Sequence, residues 1–309
     1  MEQLIFTAKN LFEQLPLFVI AVLILWVGKV FYDLTTKHDF NKELCENDNT
    51  AVGLSLGGYL VGVGLAIKGA FQDLSLKTTV TSIPLEGGGR EEVMASSPLI
   101  DIAINGVIII LLMRLSVWVG DKFILYKFNV DKELVEDKNS GTGFVIAGSC
   151  IATGLMLCGV MSGTSESYSS MFTDILIYWL VGQIILILAA KFYTLVTRYD
   201  VHKVIEEDDN ISAGLCFGAY LVAQGLIAYG SLNGASGNFL NEMIITGVAG
   251  LVGMITLICS STIVDKMFLP KAKLVKEIVE DANLAAGTVV AAIFITVGIT
   301  LSNIISSSI

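Results

Sequence analysis

Glutamate and asparagine recur at one fixed spacing in four places along the chain. In each place a lysine is followed four residues later by glutamate, and asparagine comes three residues after that glutamate. The four pairs are Glu46 and Asn49, Glu136 and Asn139, Glu207 and Asn210, and Glu280 and Asn283. Carboxylate and amide oxygens suit hard cations, and rings of carboxylates attract cations to channel mouths. Four such pairs around one axis would therefore form an acidic mouth for a small cation.

A structural role would explain the same asparagines without any ligand. Each asparagine stands just before a long apolar run. The first turn of a helix leaves four amide groups unpaired, and an asparagine at the N-cap accepts a hydrogen bond from one of them. The glutamate would then lie just outside the first turn, near the positive end of the helix dipole. Helix capping and the acidic mouth both remain open.

Small residues continue the repeat beyond each asparagine. A glycine follows after four residues, glycine or alanine after eight, and glycine again after fifteen. The glycines at these positions are Gly53, Gly57, Gly64, Gly143, Gly154, Gly214, Gly218, Gly225, Gly287 and Gly298, with Ala147 and Ala291 completing the set. Small residues four apart share a helix face and let helices approach closely in lipid. We predict that these glycines pack helices together.

Eight apolar runs must carry these motifs. They cover approximately 16–34, 52–71, 99–119, 143–161, 174–195, 212–230, 243–264 and 285–305. A helix of about 20 apolar residues crosses a bilayer, and backbone groups in lipid must be paired within the protein. The chain is 54% hydrophobic and only 16% charged, which is typical of a membrane protein. We predict an all-α membrane protein with eight transmembrane helices.

The two halves of the chain are related to each other. Phe31-Tyr32 and Phe192-Tyr193 match at an offset of 161 residues, as do Asp39 and Asp200. We therefore predict two four-helix modules, residues 1–161 and 162–309, each built of two related hairpins. Each hairpin crosses the membrane twice, so all four point the same way and form parallel repeats along the membrane normal.

Lysine and arginine are distributed unequally between the two sides of the predicted membrane. The four motif-bearing loops, at about 35–49, 120–140, 196–210 and 265–283, hold twelve of them, against four on the opposite side. Basic residues favour the cytoplasmic side. We predict a multi-pass protein of a bacterial inner membrane with cytoplasmic motif loops and both termini outside.

Three polar side chains fall inside the predicted spans, namely Arg114, Gln183 and Gln224. Polar groups at membrane depth are costly and usually face the protein interior. We expect the two glutamines to be buried in the bundle, and Arg114 to extend toward the nearby charged side.

The remaining polar features favour no enzyme and no bound cofactor or metal. The five cysteines are scattered without metal-site spacing, and we interpret them as packing residues. His38 and His202 are predicted to be surface residues, since no nucleophile, acid and base accompany them. The segment from Gly87 to Arg90 is interpreted as a flexible outer linker. With a net charge of −10 and no basic patch, nucleic acid is not an expected partner.

The segment from Glu46 to Tyr59 reads ENDNTAVGLSLGGY. In this segment the chain resembles the bacterial membrane family called domain of unknown function 350. The resemblance implies two four-helix inner-membrane proteins fused in one chain, and it adds a family link with bacterial membrane-stress genes. The second and fourth repeats depart most from the pattern, with Lys138 and Ala282 before the asparagine.

Two kinds of function are compatible with this sequence. The first is a channel or carrier for a small cation or similar solute, with the four Glu/Asn pairs at its cytoplasmic mouth. The second is a membrane scaffold or stress-response component that recruits membrane or cytoplasmic proteins. The lipid bilayer is the expected surrounding in both cases, and self-association is compatible with either.

Overall fold

The computed structural model describes residues 15–79, 83–84, 90–91, 98–163, 168–233, 239–263 and 273–308. Its helices are α1 (Leu15–Thr35), α2 (Phe40–Cys45), α3 (Thr50–Thr79), α4 (Pro98–Val119), α5 (Val130–Val135), α6 (Ser140–Met161), α7 (Tyr168–Val196), α8 (Val201–Glu206), α9 (Ile211–Leu232), α10 (Phe239–Ile263) and α11 (Leu284–Ser306). A π-helical turn, Gly120–Ile124, continues α4, and another, Lys276–Glu280, precedes α11.

Eight of the described helices are long and apolar enough to cross a membrane. They are α1, α3, α4, α6, α7, α9, α10 and α11, so the predicted all-α fold with eight spans is confirmed. Two short strands, Ile83–Pro84 and Arg90–Glu91, pair antiparallel between α3 and α4. The glycines of the predicted linker, Gly87 to Gly89, lie outside the described residues.

The helices that follow the repeated asparagines, α3, α6, α9 and α11, pack side by side in chain order and are called the inner row. Glycines at the contacts permit this close packing. A Cβ atom on Gly154 of α6 would collide with the backbone of Gly62 in α3, and one on Gly214 of α9 would collide with that of Gly141 in α6. The helices touch backbone to backbone, as small-residue faces in lipid allow.

The inner row is open, in contrast to the ring that an acidic mouth requires. In the described part of the chain, α11 does not pack along α3. Each inner helix uses one face toward the helix before it and another toward the helix after it, so α3 and α11 each keep one of these faces free in the open row. Gly57 and Gly64 on α3 have open space where a Cβ would point, whereas a Cβ on Gly53 would lie 3.5 Å from the Leu44 side chain of α2. The prediction that these glycines pack helices together within this chain is therefore wrong for Gly57 and Gly64.

The other four long helices, α1, α4, α7 and α10, are called the outer helices and cover one side of the inner row. A few buried polar contacts fix them in place. The Trp179 indole of α7 donates to Ser116 of α4 over 2.8 Å, and the Gln183 amide donates to Thr153 of α6 over 3.1 Å. Gln224 of α9 donates to the Gly250 carbonyl of α10 over 2.9 Å. Both glutamines are buried, as predicted.

The two predicted modules meet within the inner row. Helix α6 belongs to the first module and α9 to the second, yet they touch through Gly148 and Gly218 as closely as helices within a module. The inner row is therefore continuous from α3 to α11, and the module boundary after residue 161 stays a prediction from the sequence.

Candidate functional site

The turn before each inner helix has the same backbone path in all four repeats. A short helix or π turn ends, one residue takes a left-handed conformation, and the repeated asparagine follows. The left-handed residues are Asp48, Lys138, Asp209 and Ala282, with φ angles of 47°, 53°, 47° and 44°. Left-handed backbone is costly for residues with a side chain, least so for Asp and Asn. The turn therefore reverses the chain sharply at the cost of some strain at Lys138 and Ala282.

The repeated asparagines cap the inner helices. The side-chain oxygen of Asn49 accepts from the Val52 amide over 3.2 Å, and that of Asn139 accepts from Thr142 over 3.0 Å. Asn210 and Asn283 cap α9 and α11 in the same way. Each pairs a backbone N–H that the first helical turn would otherwise leave free.

The same asparagines also bridge neighbouring repeats. The Asn49 amide donates to the Leu134 carbonyl in the next repeat over 2.8 Å, and the Asn139 amide donates to the Ile205 carbonyl over 2.6 Å. The Asn210 amide reaches the Ile278 carbonyl over 2.8 Å. Each acceptor stands five residues before the next repeated asparagine. Aspartate can cap a helix but has no donor, and a serine or threonine hydroxyl has one, whereas the asparagine amide combines an acceptor oxygen with two N–H donors.

A second glutamate completes the turn in three of the four repeats. Asn49 and Asn139 donate to the carboxylates of Glu43 and Glu133, each over 2.9 Å, and Asn283 donates to Glu277 over 2.7 Å. Glu43 and Glu133 are buried, and burial raises the pKa of the Glu133 carboxyl while the Asn139 hydrogen bond opposes that shift. The third repeat has Val204 at this position, so Asn210 lacks that partner.

The glutamates of the predicted mouth lie elsewhere. Glu46, Glu136, Glu207 and Glu280 are all exposed at the ends of the short helices or of the π turn. They stand on successive turns of the open row, and the acidic mouth of four Glu/Asn pairs stays a prediction from the sequence. The glutamate that contacts the asparagine stands six residues before it, not three. Its recurrence in three repeats is visible in the sequence and could have identified it.

The exposed acids make the four turns strongly negative. The three residues before each repeated asparagine hold two, two, three and two acids, nine in all, against one lysine. All nine acids are exposed. Some take part in ion pairs, such as Asp137 with Lys132 at 2.7 Å, but pairs this exposed contribute little. The motif side of the inner row thus carries a line of acidic turns, called the acidic line.

The side of the inner row away from the outer helices forms a groove of about 650 Å³. All four inner helices line it, through residues such as Leu54, Phe144, Ile151, Val222 and Ile295. Its walls are mainly apolar side chains, so the groove offers a surface for lipid or for another apolar helix.

The histidines and cysteines occupy mixed environments. His202 is buried, and its Nε2 atom lies 2.8 Å from the Ile124 carbonyl oxygen. Burial lowers the pKa of this imidazole, and the prediction that His202 lies at the surface is wrong. Cys150, Cys158 and Cys216 are buried among the helices, whereas Cys45 and Cys259 are exposed. Within the described residues, no three His, Cys, Asp or Glu side chains are grouped to hold a metal ion.

Arg114 lies at the motif end of α4. Its guanidinium donates to the Thr35 hydroxyl over 2.6 Å and to the Thr35 carbonyl over 2.8 Å. It also lies 5.4 Å from the centre of the Tyr32 ring. The charge thus extends toward the polar end of α1, as predicted.

Comparison with known proteins supports the two-copy architecture. A family model described as Domain of Unknown Function (DUF350) matches residues 6–161 and again residues 167–305. A curated relative, the UPF0719 transmembrane protein of Aquifex aeolicus (strain VF5), is 20% identical over 281 residues, which is 90% of this chain and 95% of that protein. No solved structure matches the chain. The two matched segments confirm the two fused copies predicted from the sequence.

Proposed function

The chain belongs to the DUF350 family of multi-pass membrane proteins, and from its geometry we propose that it is a membrane scaffold that holds a basic segment of a partner protein. It works as a binding platform and catalyses no reaction. The repeated motif builds the platform, and the exposed acids beside the motif provide the contact surface.

The acidic line is the observation that carries this proposal. Nine exposed acids stand on four turns of identical shape, and the inner helices hold those turns in a fixed row. A rigid row of like charges is complementary to an extended lysine- or arginine-rich segment, and such complementarity steers and orients association.

The packing of the inner row argues against conduction. At Gly148, Gly154 and Gly214 the neighbouring helix is so close that not even a methyl group would fit. The groove along the row is mainly apolar, and apolar walls give a cation no oxygen ligands in place of its water. The asparagine side chains are already engaged in capping and bridging.

The excess of basic residues in the motif loops supports a cytoplasmic acidic line. Twelve lysines and arginines lie on that side against four on the other, and the positive-inside rule counts these residues rather than the acids. The partner segment would then be cytoplasmic or belong to the inner face of another membrane protein.

A binding titration tests the proposal. The chain is reconstituted in nanodiscs of phosphatidylcholine, and a fluorescent ten-residue oligolysine peptide is titrated by anisotropy. We expect binding that weakens as salt rises, because exposed charges are screened beyond about 10 Å at 0.1 M salt. The triple variant Glu46→Gln, Glu136→Gln and Glu280→Gln removes one charge from each of three turns and should weaken binding at least threefold.

A matched triple variant controls for net charge. The control variant combines Asp121→Asn, Asp131→Asn and Glu206→Gln. These three residues lie on the same side of the protein but outside the four turns, so the control variant should weaken peptide binding less than the turn variant does. If both variants lost the same amount of peptide affinity, net charge alone would explain binding, and this would contradict a defined acidic line. Absence of peptide binding by the unchanged protein would also contradict the proposal.

A further inference from the structure

We infer that two copies of this chain pack head to tail, with the free face of α11 in one copy against the free face of α3 in the next. The partner is a second copy because the chain itself already contains the interface three times. The face of an inner helix that meets the next inner helix is called its leading face, and the face that meets the previous one is called its trailing face. A leading face packs against a trailing face in each of the three internal contacts, which are α3 with α6, α6 with α9 and α9 with α11.

The internal contacts follow a simple rule of position. The residue two after one asparagine meets the glycine four after the next, as in Ala51 with Gly143, Gly141 with Gly214, and Ser212 with Gly287. The residue thirteen after one asparagine meets the glycine fifteen after the next, as in Gly62 with Gly154, Ala152 with Gly225, and Ala223 with Gly298. The rule holds in all three contacts, so it predicts the contacts of a fourth.

The ends of the row leave one face of each kind unused. On α11 the leading-face residues are Ala285, Ala292 and Thr296, and all three are exposed, although their equivalents in the other three repeats are buried. On α3 the trailing-face glycines Gly57 and Gly64 have open space where a Cβ would point, although Gly154, Gly225 and Gly298 touch a helix. Both free faces keep the small residues that the internal contacts need.

The hydrogen bonds between repeats are unmatched at the same two ends. Within the described residues, Asn283 donates to Glu277 of its own turn, whereas the three earlier asparagines each reach a carbonyl in the following repeat. The carbonyl equivalent to those acceptors in the first repeat is that of Leu44, which none of the four repeated asparagines reaches in the described part of the chain. An Asn283 amide from one copy would meet the Leu44 carbonyl of the next.

Such a contact pairs different surfaces of the two copies. It leaves one free face at each end of any open assembly, so it is completed only when the copies close into a ring. The four acidic turns of each chain would then continue into those of the next. The inference stands independently of the scaffold proposal, since it rests on the helix faces alone.

Disulfide trapping tests the contact directly. The rule places Thr296 of one copy against Gly64 of the next, so the double variant Gly64→Cys and Thr296→Cys should crosslink between chains. The exposed Cys45 and Cys259 are first changed to serine. After mild oxidation in native-like membranes, we expect covalent dimers and higher species on a denaturing gel that disappear on reduction. The pair Gly64→Cys and Val22→Cys serves as control, because Val22 is exposed on α1 at a comparable depth.

A bulky substitution tests the same face without a crosslink. Thr296→Trp adds a large ring to an exposed position, so the chain itself should fold normally and only the pairing should be blocked. Val248→Trp makes the same change on the exposed face of α10. By native mass spectrometry we expect multiples of 33.1 kDa for the unchanged protein and for Val248→Trp, and a single chain for Thr296→Trp.

Three outcomes would overturn the inference. One is an unchanged protein that stays a single chain at every concentration in native-like membranes. Another is a control pair that crosslinks as readily as the Gly64 and Thr296 pair. The third is an assembly whose mass is unaffected by Thr296→Trp, since that assembly must use another face.

Discussion

At the residue scale, each repeated asparagine is required because its side chain accepts a hydrogen bond at the oxygen and donates from the amide nitrogen. Its oxygen caps the helix it precedes, and its amide reaches the next repeat. The N-cap was predictable from the sequence, because asparagine before an apolar run is a common start signal. The bridge was not, because its acceptor is a backbone carbonyl more than sixty residues away, which no local pattern reveals.

Exchange of the amide for a carboxylate separates the two roles. Asn139→Asp still accepts from the Thr142 amide but cannot donate to the Ile205 carbonyl, and it brings a second carboxylate beside Glu133. We expect the free energy of unfolding to fall by about 1–3 kcal/mol, the usual cost of leaving a buried partner unsatisfied.

The control for this exchange is Asn129→Asp. Asn129 is an exposed N-cap of α5 that accepts from Lys132, and aspartate occupies the equivalent positions 39 and 200. Its exchange should change stability by less than about 0.5 kcal/mol, as surface substitutions usually do. Chemical unfolding in detergent measures both variants, and equal effects would show that capping alone explains the asparagine.

The left-handed residue of the fourth turn offers a stabilising change. Ala282 has a φ of 44°, which glycine adopts without steric cost. We expect Ala282→Gly to raise the free energy of unfolding by about 0.5–1 kcal/mol, after the greater flexibility of glycine in the unfolded chain is subtracted. Ala103→Gly, at an exposed position inside α4, should lower stability by about the same amount. A fall in melting temperature for Ala282→Gly would contradict the strain at this turn.

At the element scale, the sequence predicted the helices well and their arrangement only in part. Helix count and class follow from hydropathy and length, so all eight spans were predictable. The glycine faces were also recognisable, but their partners depend on which face each helix turns to its neighbour. Four equal repeats suggest a closed ring of inner helices. In the structure, however, one packing face of α3 and one of α11 have no inner helix against them.

Equivalent glycines in different repeats should therefore tolerate change differently. Gly154 touches the backbone of Gly62, whereas Gly64, its equivalent in the first repeat, faces open space. Gly154→Leu should lower the free energy of unfolding by about 1–3 kcal/mol or prevent folding, because the inner helices must separate. Gly64→Leu should leave the stability of the single chain nearly unchanged. Thermal unfolding in a detergent that keeps the chain monomeric compares them, and equal losses would contradict the open end of the row.

At the scale of the whole molecule, the eight long helices of the described residues form one tightly packed inner row and four outer helices. The outer helices cover one side of that row, the apolar groove runs along the other, and the acidic line stands at the motif end. The sequence predicted the repeats but not which glutamate contacts the asparagine, because burial at a turn depends on the tertiary contacts of the next repeat. The close packing of the described inner helices and the mainly apolar groove support the proposal that the row holds a partner.

Cation flux into proteoliposomes tests this account most directly. The unchanged chain is reconstituted beside empty liposomes, and potassium and sodium entry is followed with ion-sensitive dyes under an imposed gradient. The account predicts flux no greater than in empty liposomes, and no change when Glu46, Glu136, Glu207 and Glu280 are all replaced by glutamine. Flux well above the empty-liposome level would contradict the account that the inner row is too tightly packed to conduct. If that flux were lost in the glutamine variant, the acidic mouth would be supported instead.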